Sequence, residues 1–357
     1  MLKEPKLIRN KNERALDCRS FELVFVVAIA IALLNCTGCV RVSTEPADSA
    51  VTWGKRGIGK ARFQKPRAIA MIPDVAAKSK DTPSNVTTDQ LFIIDMTARI
   101  QSFDLDGGWL HKWRTPEFKT GKPCGLSVSN DGLLMVADTH YHRVLFYTTD
   151  GELVESRTLG GTLGRGPGEF GFVTDVAQDS EDNYYVAEYG DFDRIQKFSA
   201  DGEFVFEWGG HGREPSQFLR PQGLLIDEKD QLWVADASNH RIQIFDATGD
   251  EPKLVAIWGE HGTGIGQIRY PYDLAFDGDG NVFVCEFGNH RIQKFTREGK
   301  SLGVWGGPGR ELGQLYQPWD ICLDSRGRLH VLDSYNHRIQ RLDCDRWDWQ
   351  ATTEQPE

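Results

Sequence analysis

Residues 234–243 read Val-Ala-Asp-Ala-Ser-Asn-His-Arg-Ile-Gln, and nearly the same ten residues return twice. They stand at 284–293 as Val-Cys-Glu-Phe-Gly-Asn-His-Arg-Ile-Gln and at 331–340 as Val-Leu-Asp-Ser-Tyr-Asn-His-Arg-Ile-Gln. A fourth copy, 136–144, ends in His142-Arg143-Val144. Two degenerate copies lie at 94–101 (Ile-Asp-Met-Thr-Ala-Arg-Ile-Gln) and 186–196 (Val-Ala-Glu-Tyr-Gly-Asp-Phe-Asp-Arg-Ile-Gln). The shared arginines are Arg99, Arg143, Arg194, Arg241, Arg291 and Arg338, separated by 44, 51, 47, 50 and 47 residues. A period of this length defines a repeat architecture, in which each unit buries its faces only against its neighbours.

One unit shows what is repeated. In the fourth, the apolar run 223–226 is followed by the turn residues Asp227-Glu-Lys-Asp, and 231–236 reads as a second strand. Residues 241–245 alternate into a third, Ala247-Thr-Gly-Asp turns the chain, and 254–258 make a fourth before Gly259. Hydrophobic periods stay short everywhere after residue 50, with no amphipathic helical stretch. Four short antiparallel strands cannot bury both faces alone, so the units are expected to stack around an axis. The expected fold is an all-β, six-bladed β-propeller of four-stranded blades over 51–349, with 40–50 as a linker and 350–357 as a tail. Trp-Gly ends the fourth strand at Trp208, Trp258 and Trp305, whereas the sixth unit lacks one. An orphan Val51-Thr-Trp53-Gly54 precedes the first unit. It is expected to supply the sixth blade's outermost strand and so close the ring.

Asn-His-Arg-Ile after a strand ending in Ala-Asp is the signature of the NHL repeat, and the chain resembles that propeller family from residue 51 to about 349. The resemblance implies a rigid disc with variable loops. Within the wider family, the peptidyl-hydroxyglycine amidating lyase binds zinc through histidines on its first strands. The matching positions here are Arg67, Cys124, Thr174, Gln222, Tyr272 and Trp319, none of them histidine. Lactonase-type propellers hold calcium among central acids, which makes Asp175, Asp273 and Asp320 the metal candidates for an enzymatic reading. TRIM-NHL proteins carry a RING, a coiled coil and a basic face, none of which is seen here.

The chain holds 41 Lys+Arg against 52 Asp+Glu among 357 residues. Setting aside the six basic and four acidic residues of 1–39 leaves 35 against 48, a net charge of −13. Such a surface repels phosphate backbones, so no nucleic-acid partner is expected. Residues 1–39 read as an export segment: a basic start, then the uncharged run LVFVVAIAIALL at 23–34, then Asn35-Cys-Thr-Gly-Cys39. Twelve residues span about 18 Å as a helix, short of a ~30 Å hydrocarbon core. Gly38-Cys39 resembles a bacterial lipoprotein cleavage site, with Cys39 lipidated. The alternatives are an uncleaved anchor over 23–40 and cleavage without lipid. All three imply a propeller outside the cytoplasm, membrane-anchored in the first two. Cys124, Cys285, Cys322 and Cys344 match no metal or disulfide pattern. Buried thiols are expected at Cys285 and Cys322, and their pairing stays open.

Features present in every unit should build blades, whereas those that differ can recognise something asymmetric. Each second strand ends in an acid (Asp95, Asp138, Glu188, Asp236, Glu286, Asp333), and an arginine follows four to six residues later. These are expected to form ion pairs that pin the loop. His142, His240, His290 and His337 sit in different blades, too far apart for one metal shell, and are read as structural. The glycine-rich stretches 160–170 and 262–266 lead into strands, so they are connections and not phosphate loops. Asp277-Gly-Asp-Gly-Asn281 reads as a hairpin turn. The unit-specific residues open the first strands at the channel mouth: Arg67, Asp175, Gln222, Tyr272, Asp273, Trp319 and Asp320 are the candidate ligand-binding set. The expected function is a protein- or small-ligand-binding module at the cell envelope, monomeric and needing no cofactor. The alternative is a metal-dependent propeller enzyme, calcium lactonase-like sooner than amidating-lyase-like.

Overall fold

The computed structural model describes residues 50–73, 89–344 and 349, all inside the second of two compact units, residues 45–357. The export segment with Cys39, most of the first-blade insert at 75–90 and the tail lie outside the described residues. Blade 1 comprises Pro66–Ile72, Gln90–Asp95, Arg99–Asp104 and Trp109–Arg114. Blade 2 comprises Gly125–Val128, Leu134–Asp138, Arg143–Tyr147 and Leu159–Gly160. Blade 3 runs through Phe172–Gln178, Tyr184–Tyr189, Arg194–Phe198 and Phe204–Gly209, and blade 4 through Pro221–Ile226, Gln231–Asp236, Arg241–Asp246 and Lys253–Trp258. Blade 5 has Pro271–Phe276, Val282–Glu286, Arg291–Phe295 and Ser301–Gly306; blade 6 has Ile321–Leu323, Arg328–Asp333 and Arg338–Asp343. Every blade is a four-stranded antiparallel sheet, the sixth completed by Ala50–Trp53.

The core lies between blades. Phe92, Ile94 and Ile100 of blade 1 pack on Leu126, Val136 and Leu145 of blade 2, and equivalent apolar layers fill the other five junctions. A second strand is therefore covered on both faces, and its residues from Leu232 to Asp236 are all buried. The outermost strand Lys253–Trp258 alternates exposed and half-buried, as a strand with one wet face must.

Ring closure follows the orphan Trp-Gly. Ala50 pairs with Leu342 and Trp53 with Ile339, which makes Ala50–Trp53 the outer strand of blade 6. Trp53 then repeats a contact made elsewhere in the ring. Gly107 in the last hairpin of blade 1 lies against the Trp53 ring, as Gly151 lies against Trp113 and Gly299 against Trp258. At φ of +89°, +89° and +83°, with a Cβ placed 2.6–2.8 Å from the indole, only glycine fits these three turns.

The repeated polar residues bind blades to loops. All six acid–arginine pairs form: Asp95–Arg99, Asp138–Arg143, Glu188–Arg194, Asp236–Arg241, Glu286–Arg291 and Asp333–Arg338. In blade 4 the Arg241 guanidinium also donates to the carbonyls of Arg213, Glu214 and Gln217, pinning the incoming inter-blade connection. The histidines act between blades. His240 Nδ1 accepts the Tyr270 N–H at 3.0 Å, His290 that of Gln317 at 2.8 Å, and His337 that of Lys65 at 3.0 Å. An accepting Nδ1 carries no proton. Burial accordingly holds His240 down at about 4 and lowers His290 and His337 as well. Asp277 accepts the amides of Asp279 and Asn281, closing the expected hairpin turn. Cys285 is fully buried, whereas Cys322, near the channel, keeps part of its surface.

Candidate functional site

The first strands lose register where they enter the channel. The shift falls between Pro66 and Ala68, Val173 and Asp175, Pro221 and Leu224, and Pro271 and Asp273. A bulge inserts one residue, bends the strand and re-aims the extra side chain. The inserted residues are Arg67, Thr174 and Tyr272, with Gln222 inside the blade 4 irregularity; Cys124 and Trp319 hold the same place in blades 2 and 6. Six equivalent positions thus carry six different side chains over a scaffold that otherwise repeats.

These side chains converge. Tyr272 stacks on Phe287 with ring centroids 4.3 Å apart, and Trp319 meets Tyr272 edge-on at 5.0 Å. The Arg67 guanidinium lies over Trp319 at 4.2 Å and gives Nη1 to Cys124 Sγ at 3.1 Å. Cys124, Tyr272 and Trp319 belong to one apolar cluster spanning the mouth from blade 2 to blades 5 and 6. Beneath it a cavity of about 140 Å³ is lined by Asp175, Gln222, Tyr272, Asp273, Trp319 and Asp320, with Thr174 and Cys124. Six of the seven predicted ligand-binding residues therefore share one cavity, and the seventh, Arg67, is stacked on its wall.

The three acids do not stand beside the aromatics at the rim. Each reaches sideways to brace the next blade. Asp175 accepts the Leu224 N–H at 2.9 Å, Asp273 that of Ile321 at 3.0 Å, and Asp320 that of Ile69 at 3.1 Å. Gly125 and Gly223, the matching residues of blades 2 and 4, make room for them. A Cβ there would stand 2.6 Å from Asp175 Oδ1 and 3.0 Å from Asp273 Oδ1, respectively. These half-buried acids line the cavity, and burial makes charge on them costly. Burial pushes Asp175 up to about 8 against the Leu224 hydrogen bond. Burial raises Asp320 well above the usual carboxylate range, and the neighbouring Asp273 raises it further. Burial also raises Asp273, opposed by its hydrogen bond with Asp320. Burial and their mutual repulsion thus push the adjacent Asp273 and Asp320 toward the protonated form.

Both oxygens of Asp320 and one each of Asp175 and Asp273 are engaged by backbone amides, which leaves the three carboxyls short of a calcium shell of six to eight oxygens. Among the described residues no group of three or more His, Cys, Asp or Glu side chains is arranged to hold a metal ion. The six equivalent positions offer one zinc-binding group, the Cys124 thiol.

Sequence reasoning passed over Arg220, Tyr189 and Phe287. Arg220 lies over the rings of Tyr189 at 4.8 Å and Tyr272 at 5.9 Å. It stands one residue before the triplet that opens blade 4, in left-handed backbone (φ 56°), as do Lys65, Tyr270 and Gln317 in other blades. Those pre-proline positions also differ from blade to blade, and that was the available signal.

Comparison with known proteins bears on the repeats and the fold. The NHL repeat model matches residues 218–245, 269–295 and 315–342, the inter-blade loop to third strand of blades 4, 5 and 6. Peptidyl-glycine alpha-amidating monooxygenase A of Xenopus laevis is 35% identical over 142 residues, 37% of this chain but 15% of that protein. NHL repeat-containing protein 3 of Mus musculus is 27% identical over 164 residues, covering 43% of this chain and 46% of that protein. The chain therefore matches less than half the length of either relative. Among solved structures, streptogramin B lyase superposes with a TM-score of 0.53 at 15% identity, covering 82% of this chain and 97% of its own. A gluconolactonase-like protein gives 0.57 at 14% identity, covering 84% and 93%. At these identities the structural likeness establishes the fold alone.

Proposed function

We propose that this NHL-repeat, six-bladed β-propeller is a ligand-binding module held outside the cytoplasm, with its ligand seated at the channel mouth. One observation carries the reading. The six equivalent residues that open the first strands differ in every blade, whereas the acid–arginine pairs behind them repeat in all six. A site that distinguishes one end of a ligand from another needs that asymmetry. Tyr272 and Trp319 form an aromatic wall beside Arg67, the composition found at the centre of binding sites. The bulge positions give no support to the zinc chemistry of the amidating-lyase relatives, nor the committed carboxyls to a calcium-dependent hydrolase.

The test is a thermal-shift screen of small molecules on the full-length protein, with metal analysis of the same preparation. Molecules that stabilise the wild type should bind Trp319→Ala more weakly by over ~1 kcal/mol, and Glu298→Gln as well as wild type. Unaltered binding in the Trp319 variant would move the site off the mouth. Stoichiometric calcium or zinc would favour an enzyme. Export is tested by Cys39→Ser, which should release the protein from membranes or leave the precursor uncleaved.

A further inference from the structure

Every other arginine of the described residues that is shielded from bulk water pairs with a carboxylate. Arg67 and Arg220 do not. Both stand at the channel mouth, and the Nε of each is buried with no hydrogen-bond partner. Thr174 Oγ1, in a residue only 2% exposed on the same cavity, is likewise unpartnered. Gln222, buried on that cavity, has one long contact of 3.5 Å to the carbonyl of its own neighbour, Pro221. Unpartnered buried donors also occur away from the channel, chiefly indole N–H groups such as those of Trp113, Trp208 and Trp258, but two guanidinium Nε atoms and a threonine hydroxyl share this one opening.

The two guanidiniums bracket one set of rings. Arg67 lies over Trp319, Trp319 meets Tyr272, and Arg220 lies over Tyr272 and Tyr189. Burial raises the phenols of Tyr189 and Tyr272, and the charges of both arginines oppose it, so each ring feels both cations. Among the described residues no carboxylate answers them. Asp193 reaches the Arg220 main-chain N–H and the His211 ring, not the guanidinium. The channel acids below are turned onto backbone amides of the next blades. An otherwise acidic chain, net −11, thus carries a locally positive mouth.

We infer that the mouth is an oxyanion site, which takes a small organic anion with its carboxylate or phosphate head between Arg67 and Arg220. Its body lies against Trp319 and Tyr272 and reaches into the channel, where Thr174 and Gln222 supply hydrogen bonds. This rests on the mouth being the binding site and adds the charge class of the ligand. A guanidinium offers paired N–H groups in a plane, the complement of a planar carboxylate or one edge of a phosphate. The cavity of about 140 Å³ has room for roughly four or five waters, which limits the body to a few carbon atoms.

The experiment is isothermal titration of the full-length protein with lactate, malate and inorganic phosphate, and with glycerol as the neutral control. At least one of the three anions should bind and glycerol should not. Arg67→Gln and Arg220→Gln should each weaken binding tenfold or more, and raised salt should weaken it in the wild type. Phosphate binding in preference to lactate and malate assigns the head as phosphate; the reverse assigns a carboxylate. Without ligand the two variants should melt at or above the wild-type temperature, since each loses an unpaired cation and not half of an ion pair. Should Arg67→Gln fail to fold, Arg220→Gln decides. Glycerol binding as tightly as the anions, and lost in Trp319→Ala, would overturn the oxyanion site yet keep the mouth. Absence of binding by all three anions, or unchanged affinity in both arginine variants, would also overturn it.

Discussion

Asp236→Asn tests the repeated network at one atom. Asp236 is wholly buried. Its Oδ2 accepts from Arg241 Nε at 2.8 Å, Asn239 Nδ2 at 2.8 Å and Gln243 Nε2 at 3.0 Å; its Oδ1 accepts the Leu219 N–H at 2.8 Å. Asparagine has the same shape but one accepting oxygen. Turned to keep the three side-chain donors, its NH₂ faces the Leu219 N–H and leaves two buried donors opposed, at a cost of about 1–3 kcal/mol. The three remaining bonds then end on a neutral oxygen and weaken. Breaking a buried pair costs about 3–5 kcal/mol, and Arg241 keeps its three carbonyl partners, so we expect about 3 kcal/mol. At roughly 2–4 °C per kcal/mol, the melting temperature should fall by about 6–12 °C. Burial raises the Asp236 pKa despite its hydrogen bonds, so the pair does not recover its desolvation. Adding Arg241→Gln should therefore restore part of the loss. Thermal and urea unfolding of the three proteins measure this. A single variant melting within about 1 °C of wild type would refute the claim that these pairs hold the loops.

Gly125→Ala or Gly223→Ala places a Cβ 2.4 Å from Thr174 O or 2.7 Å from Tyr272 O, and each should cost about 1–3 kcal/mol in denaturant titrations. Trp53→Ala removes an indole packed on Phe103 at 4.7 Å; a loss of about 3 kcal/mol and new proteolysis near residue 54 are expected if the N-terminal strand closes the ring. His240, His290 and His337 have folded pKa values below the ordinary 6.5, so their contribution is complete above pH 6.5 and is lost as pH falls, toward about 4 for His240. His290→Gln should flatten that acid limb of melting temperature against pH. Asp175 acts oppositely: its folded pKa of about 8 lies above 3.8, so stability declines as pH rises between these values. Asp175→Asn should flatten that decline.

The repeat made the fold legible because the NHL-type segment encodes a contact and not just a strand. Asp236, Asn239, Arg241 and Gln243 form one hydrogen-bonded set, so their joint recurrence in units 4, 5 and 6 implied the same loop there, and the acid and arginine alone carried the period through the others. The orphan Trp53 was readable for the same reason, since its contact with Gly107 recurs as Trp113 on Gly151. The mouth was legible as a location but not as chemistry. A strand pattern places Tyr272 and Asp273 on opposite faces; it does not reveal the bulge that lifts Tyr272 and lets Asp273 reach Ile321 in the next blade. Arg220 was hidden for a comparable reason. Its approach to Tyr272 depends on a left-handed residue before proline, a conformation that sequence disfavours for arginine.

The bracing acids also determine which part of the mouth is rigid. Carboxylates tie blade 3 to blade 4 through Asp175, blade 5 to blade 6 through Asp273, and blade 6 to blade 1 through Asp320. Blades 5, 6 and 1 therefore form an arc braced at both of its internal junctions. Tyr272, Trp319 and Arg67 stand on those three blades in that order. The strand from the N-terminus also joins this arc, so the point where the ring closes lies behind the wall. A wall assembled before a ligand arrives does not lose affinity to ordering its side chains. Arg220 stands on blade 4, and no carboxylate on the first strand of blade 4 braces it to blade 5, because the equivalent residue is Gly223. Blade 4 is held to blade 5 instead by His240 on the Tyr270 N–H and by Arg297 on Asp227, outside the first strands. A ligand gripping both Arg67 and Arg220 would add a tie at the mouth itself. Its binding should therefore protect the amides of 219–224 from hydrogen exchange more than those of 318–323, and equal protection would contradict the argument.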